Sequence, residues 1–270
     1  MWPNLLCLDA PLIAVSWQCL FAACFKIQQP IAIQLMLGLG VWTIYLADRL
    51  YDAWRAIDIP NSTARLRFAK KHSPALVILL AAAASLDLVL IMLFASQRLI
   101  FSGLGIALLV AIYYLLRLGK SGNFLHRIPR EVLCGMVFAF GSVFTIQSSA
   151  DSTFKGATFY PATFLFGLVC SANCLLISSW EQDSDFANAD PSIASTHRYL
   201  LPYLSSVTTL LSIVSLSLSF LTCRPVFLAI FLASFSLSLI SRYEKRLSVT
   251  ALRVLADAVF LSPLLVLPFV

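Results

Sequence analysis

Long apolar stretches fill almost the whole chain, and they constrain its fold more than any other feature of the sequence. A helix crosses the hydrocarbon core of a bilayer with about 20 apolar residues, so each stretch of that length predicts a membrane-spanning helix. We predict nine spans, at residues 8–25, 30–52, 74–96, 99–117, 130–148, 160–180, 200–221, 225–241 and 250–269. The sequence therefore predicts an all-α polytopic membrane protein.

Composition supports a single membrane domain over residues 1–270. Hydrophobic residues make up 60% of the chain and charged residues 12%, against roughly 25% charged residues in soluble domains. The first apolar stretch has no basic residues before it and another span after it, so we expect it to be a retained helix. The connections between spans 3 and 4 and between spans 7 and 8 are very short, which predicts that each pair packs as antiparallel neighbours.

The basic residues predict an orientation, because cytoplasmic loops are enriched in Lys and Arg. All but four of the 19 Lys and Arg residues lie in or beside the connections that follow spans 2, 4, 6 and 8; the four others are Lys26, Arg98, Lys155 and Arg224. We therefore expect a protein of a bacterial inner membrane whose N-terminus faces the cytoplasm. Orientation accounts for most of the +6 net charge, so we predict no nucleic-acid partner. We also expect no obligatory protein partner.

Two carboxylates mark the predicted cytoplasmic end of span 2. Asp48 and Asp52 are four residues apart, so they share one helix face and repel each other. Mg²⁺ often binds one or two carboxylates and completes its shell with water and phosphate oxygens. These residues therefore fit a magnesium site, although neutralisation by Arg49 or Arg55 would also explain them.

A second acidic stretch follows span 6 at the same predicted face. Glu181 and Asp185 repeat the four-residue spacing, and Asp183 lies between them. We predict that Asp48, Asp52, Glu181, Asp183 and Asp185 bind Mg²⁺. Two acidic helix ends separated by four spans also suggest two facing halves around a central cavity.

Basic side chains near these acids could hold an anion, and phosphate groups suit a mixture of Arg, Lys and metal ions. Individually, any of these cations could serve orientation alone. The predicted diphosphate-binding residues are Arg49, Arg65, Arg67, Lys70, Lys71, Lys120 and Arg130.

This pattern resembles the UbiA superfamily of intramembrane prenyltransferases over nearly the whole chain. The last two acids of that family's first motif, Asn-Asp-x-x-Asp-x-x-x-Asp, fall on Asp48 and Asp52, whereas Ile44 and Tyr45 occupy its first two positions. The family's second motif, Asp-x-x-x-Asp, falls on Glu181 and Asp185. The two missing first-motif side chains would remove two oxygen ligands from the first metal site.

The resemblance implies a Mg²⁺-dependent enzyme that moves a polyprenyl group from a polyprenyl diphosphate to an aromatic or other lipophilic acceptor. Asp48, Asp52, Glu181 and Asp185 would then be catalytic. An allylic cation needs a dry pocket with aromatic faces. Tyr45, Tyr113 and Tyr114 are the expected residues of this pocket, with Trp42 and Trp180 as further candidates, although each aromatic could equally serve packing or the membrane interface.

Two other functions stay open: a UbiA-like protein that binds a lipid diphosphate without transferring it, and a secondary transporter. A transporter should place its binding groups near the membrane midplane, whereas the acids here lie at one face. Three further acids, Asp9, Asp87 and Asp257, fall within or beside predicted spans. Because Asp257 follows Arg253 by four residues, we expect these two to form a structural salt bridge.

Overall fold

The computed structural model describes residues 2–56, 63–118, 130–149, 156–181, 202–222 and 224–270. Within these ranges the chain is helical and contains no strand, which confirms the all-α prediction. The α-helices are α1 (Trp2–Leu5), α2 (Asp9–Phe25), α3 (Ile31–Arg55), α4 (Ala64–Lys71), α5 (Ser73–Phe94), α6 (Gln97–Leu118), α7 (Arg130–Ser149), α8 (Phe159–Trp180), α9 (Leu204–Thr222), α10 (Pro225–Arg242), α11 (Val249–Ala258) and α12 (Pro263–Val266).

Eight segments of the described chain are long and apolar enough to cross a membrane. Seven of them lie in α3 and α5 to α10, and the eighth, Val249–Phe269, joins α11, α12 and two short 3-10 turns. The predicted first span corresponds to α2, which has 17 residues and is shorter than a typical span of about 20. The chain is therefore a polytopic helical membrane protein, and the count of nine spans stays a prediction.

The main apolar core lies between α2, α7, α8, α10 and the C-terminal segment. Trp17 of α2 stacks on Phe166 of α8, with ring centroids 4.0 Å apart, and both side chains are fully buried. The indole N–H of Trp17 donates a hydrogen bond to the carbonyl of Phe260 at 2.9 Å. Because a buried indole needs such a partner, this bond fixes α2 against the C-terminal segment.

The prediction that spans 3 and 4 pack as neighbours is wrong. Although only Ala95 and Ser96 connect α5 to α6, α5 packs on α3 and α6 packs on α7. A short link holds only the adjoining helix ends together, and here a cavity separates the two helices. The same prediction for spans 7 and 8 is confirmed, because α9 and α10 pack against each other.

α4 is a short amphipathic helix that packs on α3 beside α1. Arg65, Leu66 and Ala69 are buried, whereas Lys70 and Lys71 are exposed. Residues 65 and 69 are four apart and therefore lie on one helix face. α4 thus turns one arginine into the bundle and keeps the two lysines on the surface.

Candidate functional site

A large apolar cavity of about 540 Å³ lies between α3, α5, α6 and α7. This volume is within the range of about 300–1,000 Å³ that is usual for ligand pockets. Ile100 and Leu104 of α6 line the cavity, and they are also 42% and 60% exposed. Since these side chains belong to the membrane-facing surface of α6, the cavity opens towards the hydrocarbon of the bilayer.

A small polar cavity of about 80 Å³ adjoins the apolar one. Tyr45 and Phe138 line both cavities and therefore form the partition between them. The charged residues that line the small cavity come from three separate elements, α2, α4 and α11. They are Asp9, Arg65, Arg253 and Asp257.

Three arginines lie close together beside the polar cavity, and we refer to Arg49, Arg65 and Arg253 as the arginine cluster. Arg253 donates a hydrogen bond to the Glu181 carboxylate, and an Arg65 nitrogen lies 3.7 Å from the same carboxylate. The Nε–H groups of all three arginines are buried without a hydrogen-bond partner among the described residues. Because an unsatisfied buried donor is costly, a further anion bound to the arginine cluster would be stabilised by these donors.

The pKa shifts of Arg65 and Glu181 also favour a bound anion at the arginine cluster. Burial, together with the positive charge of Arg49, lowers the pKa of Arg65 to about 10. Arg65 therefore stays protonated at pH 7, but its charge is disfavoured by the surroundings. Burial raises the pKa of Glu181 even though Arg65 and Arg49 act in the opposite direction. A bound anion would further offset the repulsion between the Arg49 and Arg65 guanidinium groups.

Two acidic residues, Asp9 and Asp257, also line the polar cavity. The amide of Asn4 donates to Asp9 at 2.7 Å and to Asp257 at 3.3 Å, so it holds the two carboxyl groups together. The predicted Arg253–Asp257 salt bridge is wrong, because the guanidinium of Arg253 pairs with Glu181 instead. Although α11 places Arg253 and Asp257 along one face, Glu181 at the end of α8 is in reach of the arginine.

The predicted acidic residues have unequal positions. Asp48 and Asp52 lie half-buried, one turn apart near the end of α3, and their negative charges act on Arg49. Glu181 lies among the arginines, while Asp183 and Asp185 lie outside the described residues. In the part of the chain that the structure describes, no group of three or more His, Cys, Asp or Glu could hold a metal ion.

The predicted basic residues divide into two groups. Arg49 and Arg65 belong to the arginine cluster, whereas Arg67, Lys70 and Lys71 are exposed on the outside of α4 and line neither cavity. Arg130 begins α7 and lies 3.6 Å from the Glu131 carboxylate. Lys120 lies outside the described residues.

Tyr45 and Tyr113 line the apolar cavity, as expected for residues of a prenyl pocket. Tyr114 does not line it, and its hydroxyl donates to the carbonyl of Ile44 at 3.5 Å. The indole groups of Trp42 and Trp180 donate to the carbonyl of Leu6 and the carboxylate of Glu244. Both tryptophans therefore have packing roles, Trp42 in the middle of α3 and Trp180 at the end of α8.

Sequence reasoning missed Arg253 as an anion-binding candidate and gave Asp9 and Asp87 no role. The signal was present, since ionisable residues within membrane spans usually serve a function. In the structure, Asp9 and Asp257 line the polar cavity, and Asp87 lines the apolar one.

No protein-family model and no curated protein matches the sequence. The structure is similar to the apo structure of a UbiA homolog from Aeropyrum pernix K1, with a TM-score of 0.67 over 97% of this chain and 98% of that chain. The two sequences are 12% identical over this match, so the likeness concerns the fold. The chain therefore shares the fold of this solved structure.

Proposed function

We propose that the protein binds a polyprenyl diphosphate and transfers its prenyl group to a lipophilic acceptor within the membrane. The observation that carries this proposal is the position of the arginine cluster. Three arginines with buried Nε–H donors that lack a partner among the described residues lie beside the polar cavity, and this cavity adjoins the large apolar cavity that opens to the bilayer. An anionic head on a hydrocarbon tail is the kind of ligand that satisfies both features at once.

The head group would be held by the arginine cluster. Guanidinium groups donate paired hydrogen bonds to phosphate oxygens and stay charged at pH 7. Arg65 and Arg253 are partly neutralised by one carboxylate, Glu181, so their remaining donors favour an anion. The tail would lie in the apolar cavity and would enter past Ile100 and Leu104.

Mg²⁺ is the proposed cofactor. It commonly uses one or two carboxylates together with water and phosphate oxygens, so Asp48 and Asp52 with a bound diphosphate match its usual ligands. Glu181, Asp183 and Asp185 would complete the predicted set. Bound there, Mg²⁺ would neutralise charge on the departing diphosphate.

Transfer would begin when the bond between the prenyl carbon and the diphosphate oxygen breaks and leaves an allylic cation. Tyr45, Tyr113 and Phe138 face the apolar cavity, and aromatic faces attract cations. The apolar lining of the cavity would exclude water, which would otherwise react with the cation. An electron-rich acceptor would then form the new bond and release a proton.

A second candidate function is binding of the lipid diphosphate without transfer. The engagement of Glu181 by Arg65 and Arg253 favours it, because a carboxylate paired with two arginines is a poorer metal ligand. Incubation with radiolabelled geranylgeranyl diphosphate, Mg²⁺ and a panel of lipophilic acceptors distinguishes the two. Transfer produces a labelled prenylated acceptor and free diphosphate, whereas a binding protein returns the donor intact.

Filling the apolar cavity is expected to weaken donor binding. Gly103 lines the cavity, and a Cβ there would make an ordinary contact with Phe144 at 3.7 Å. Gly103→Leu should therefore place its side chain in the tail pocket and reduce affinity for geranylgeranyl diphosphate at least about tenfold, or about 1.4 kcal/mol.

Gly105→Leu is the matched control for this substitution. Gly105 lies on the same helix, does not line the cavity, and has no atom within 4 Å of an added Cβ. The Gly105→Leu variant should bind geranylgeranyl diphosphate with the affinity of the wild type when both are measured by calorimetry in nanodiscs. Equal affinities of the two glycine variants would show that the prenyl tail does not bind in the apolar cavity.

A further inference from the structure

Asp87 is a carboxyl group deep within a membrane-spanning helix. It lies about 21 Å along α5 from Ser73 and about 10 Å from Phe94, at a rise of 1.5 Å per residue. Its neighbours along the helix, Leu86 and Leu88, are each 52% exposed and belong to the membrane-facing surface. Asp87 itself lines the apolar cavity, so the carboxyl group faces the cavity.

One oxygen of the Asp87 carboxyl group has no hydrogen-bond partner among the described residues. Its Oδ1 atom is buried and accepts no hydrogen bond from the described residues. Its Oδ2 atom packs against α3 at Gly40, where an added Cβ would lie 3.3 Å away. Among the described residues that line the cavity, Asp87 carries the one carboxyl group. The arginine cluster lies beside the neighbouring polar cavity, on the other side of Tyr45 and Phe138.

A buried carboxyl group without a partner is costly, and more so in a membrane. A plain hydrocarbon tail in the cavity would leave that cost in place, because it offers no hydrogen-bond donor. A ligand with an O–H or N–H group at this depth would remove it. The unpaired carboxyl group therefore indicates what kind of molecule the cavity takes in addition to a prenyl tail.

We propose that Asp87 binds the acceptor substrate by accepting a hydrogen bond from its hydroxyl or amine group. This inference rests on the proposed function and deepens it, since it defines the acceptor as a lipophilic molecule with a hydrogen-bond donor. The acceptor lies in the apolar cavity with its donor at the level of Gly40. The partition residue Tyr45 is five residues further along α3, or about 7.5 Å nearer the arginine cluster.

The test compares para-hexylphenol with its methyl ether, para-hexylanisole, in which a methyl group replaces the hydroxyl hydrogen that the phenol can donate. Calorimetry on the full chain in nanodiscs, corrected with empty nanodiscs, gives both affinities. The wild type should bind the phenol about tenfold more tightly than the ether, because a hydrogen bond that satisfies a buried carboxyl oxygen contributes about that much. Equal affinities in the wild type would overturn the proposal without any variant.

Asp87→Leu should bring the two affinities to within about twofold of each other, since it removes the acceptor oxygen. Ser85→Ala is the control on the same helix, because Ser85 is exposed and does not line the cavity; it should keep the preference. A preference for the phenol that persists in Asp87→Leu would overturn the inference. The melting temperature of each variant without ligand establishes that it is folded.

Geranylgeranyl diphosphate is titrated into the same preparations to separate this inference from the proposed function. A wild type that binds the diphosphate but shows no preference for the phenol refutes the role of Asp87 alone. A wild type that prefers the phenol but does not bind any prenyl diphosphate refutes the proposed function and leaves the Asp87 site supported.

Discussion

Replacing Arg65 with Gln is expected to weaken binding of geranylgeranyl diphosphate by about 10- to 100-fold. Arg65 is 8% exposed and its Nε–H is buried without a partner among the described residues, so a diphosphate would satisfy a group that is otherwise unpaired. A hydrogen bond between charged groups contributes about 1.5–3 kcal/mol, which corresponds to this loss of affinity. Calorimetry in nanodiscs measures the dissociation constants of both proteins.

Arg65 is a better position for this substitution than Arg253, because the Glu181 carboxylate keeps a partner when Arg65 is replaced. Arg253 still binds the Glu181 carboxylate in Arg65→Gln, whereas a buried carboxylate left alone would destabilise the fold. Lys245→Gln is the matched control: it removes one exposed charge near the end of α8, where Trp180 meets Glu244. An affinity for Arg65→Gln that equals that of Lys245→Gln would place the diphosphate elsewhere.

Gly135→Ala is expected to lower the stability of the protein strongly, by about 3 kcal/mol, at the upper end of the usual cost of overpacking. Gly135 of α7 lies directly against the backbone of α8, so an added Cβ would lie 2.2 Å from the amide nitrogen of Ser171 and 2.6 Å from the carbonyl carbon of Cys170. Backbone atoms cannot turn aside as a side chain can, so the two helices would have to separate.

The same substitution elsewhere on α7 provides the control. A Cβ at Gly141 would meet a side-chain carbon of Ile106 at 3.6 Å, an ordinary contact. Gly141→Ala should therefore melt within a degree or two of the wild type, and Gly135→Ala several degrees lower, when both are followed by thermal unfolding in the same detergent. Similar melting temperatures for the two variants would show that α7 and α8 are not in such close contact.

The positions of the helices could be predicted from the sequence, because apolar length is a strong signal for membrane spans. Their packing was less predictable. The two-residue link between α5 and α6 suggested that these helices are neighbours, but it restrains only Phe94 and Gln97 at their ends. The surfaces that α3 and α7 offer decide where each helix packs.

The candidate site could be predicted only in part. Arg49 and Arg65 were predicted as diphosphate ligands because both lie close in sequence to the acidic end of α3, and the structure brings them together in the arginine cluster. The partners of Glu181 come from α4 and α11, which are distant in sequence, so spacing within one helix could not find them. Asp185, the predicted partner of Glu181, lies outside the described residues.

The most direct test of polyprenyl diphosphate binding is the melting temperature of the purified wild type with and without geranylgeranyl diphosphate, each in the presence and absence of Mg²⁺. A ligand at 100 times its dissociation constant stabilises the folded state by about 2.7 kcal/mol, so the melting temperature should rise. The Mg²⁺-dependent part of the rise should disappear in Asp48→Asn and in Asp185→Asn. No rise with prenyl diphosphates of any chain length would contradict the proposed function and would move a secondary transporter to first place.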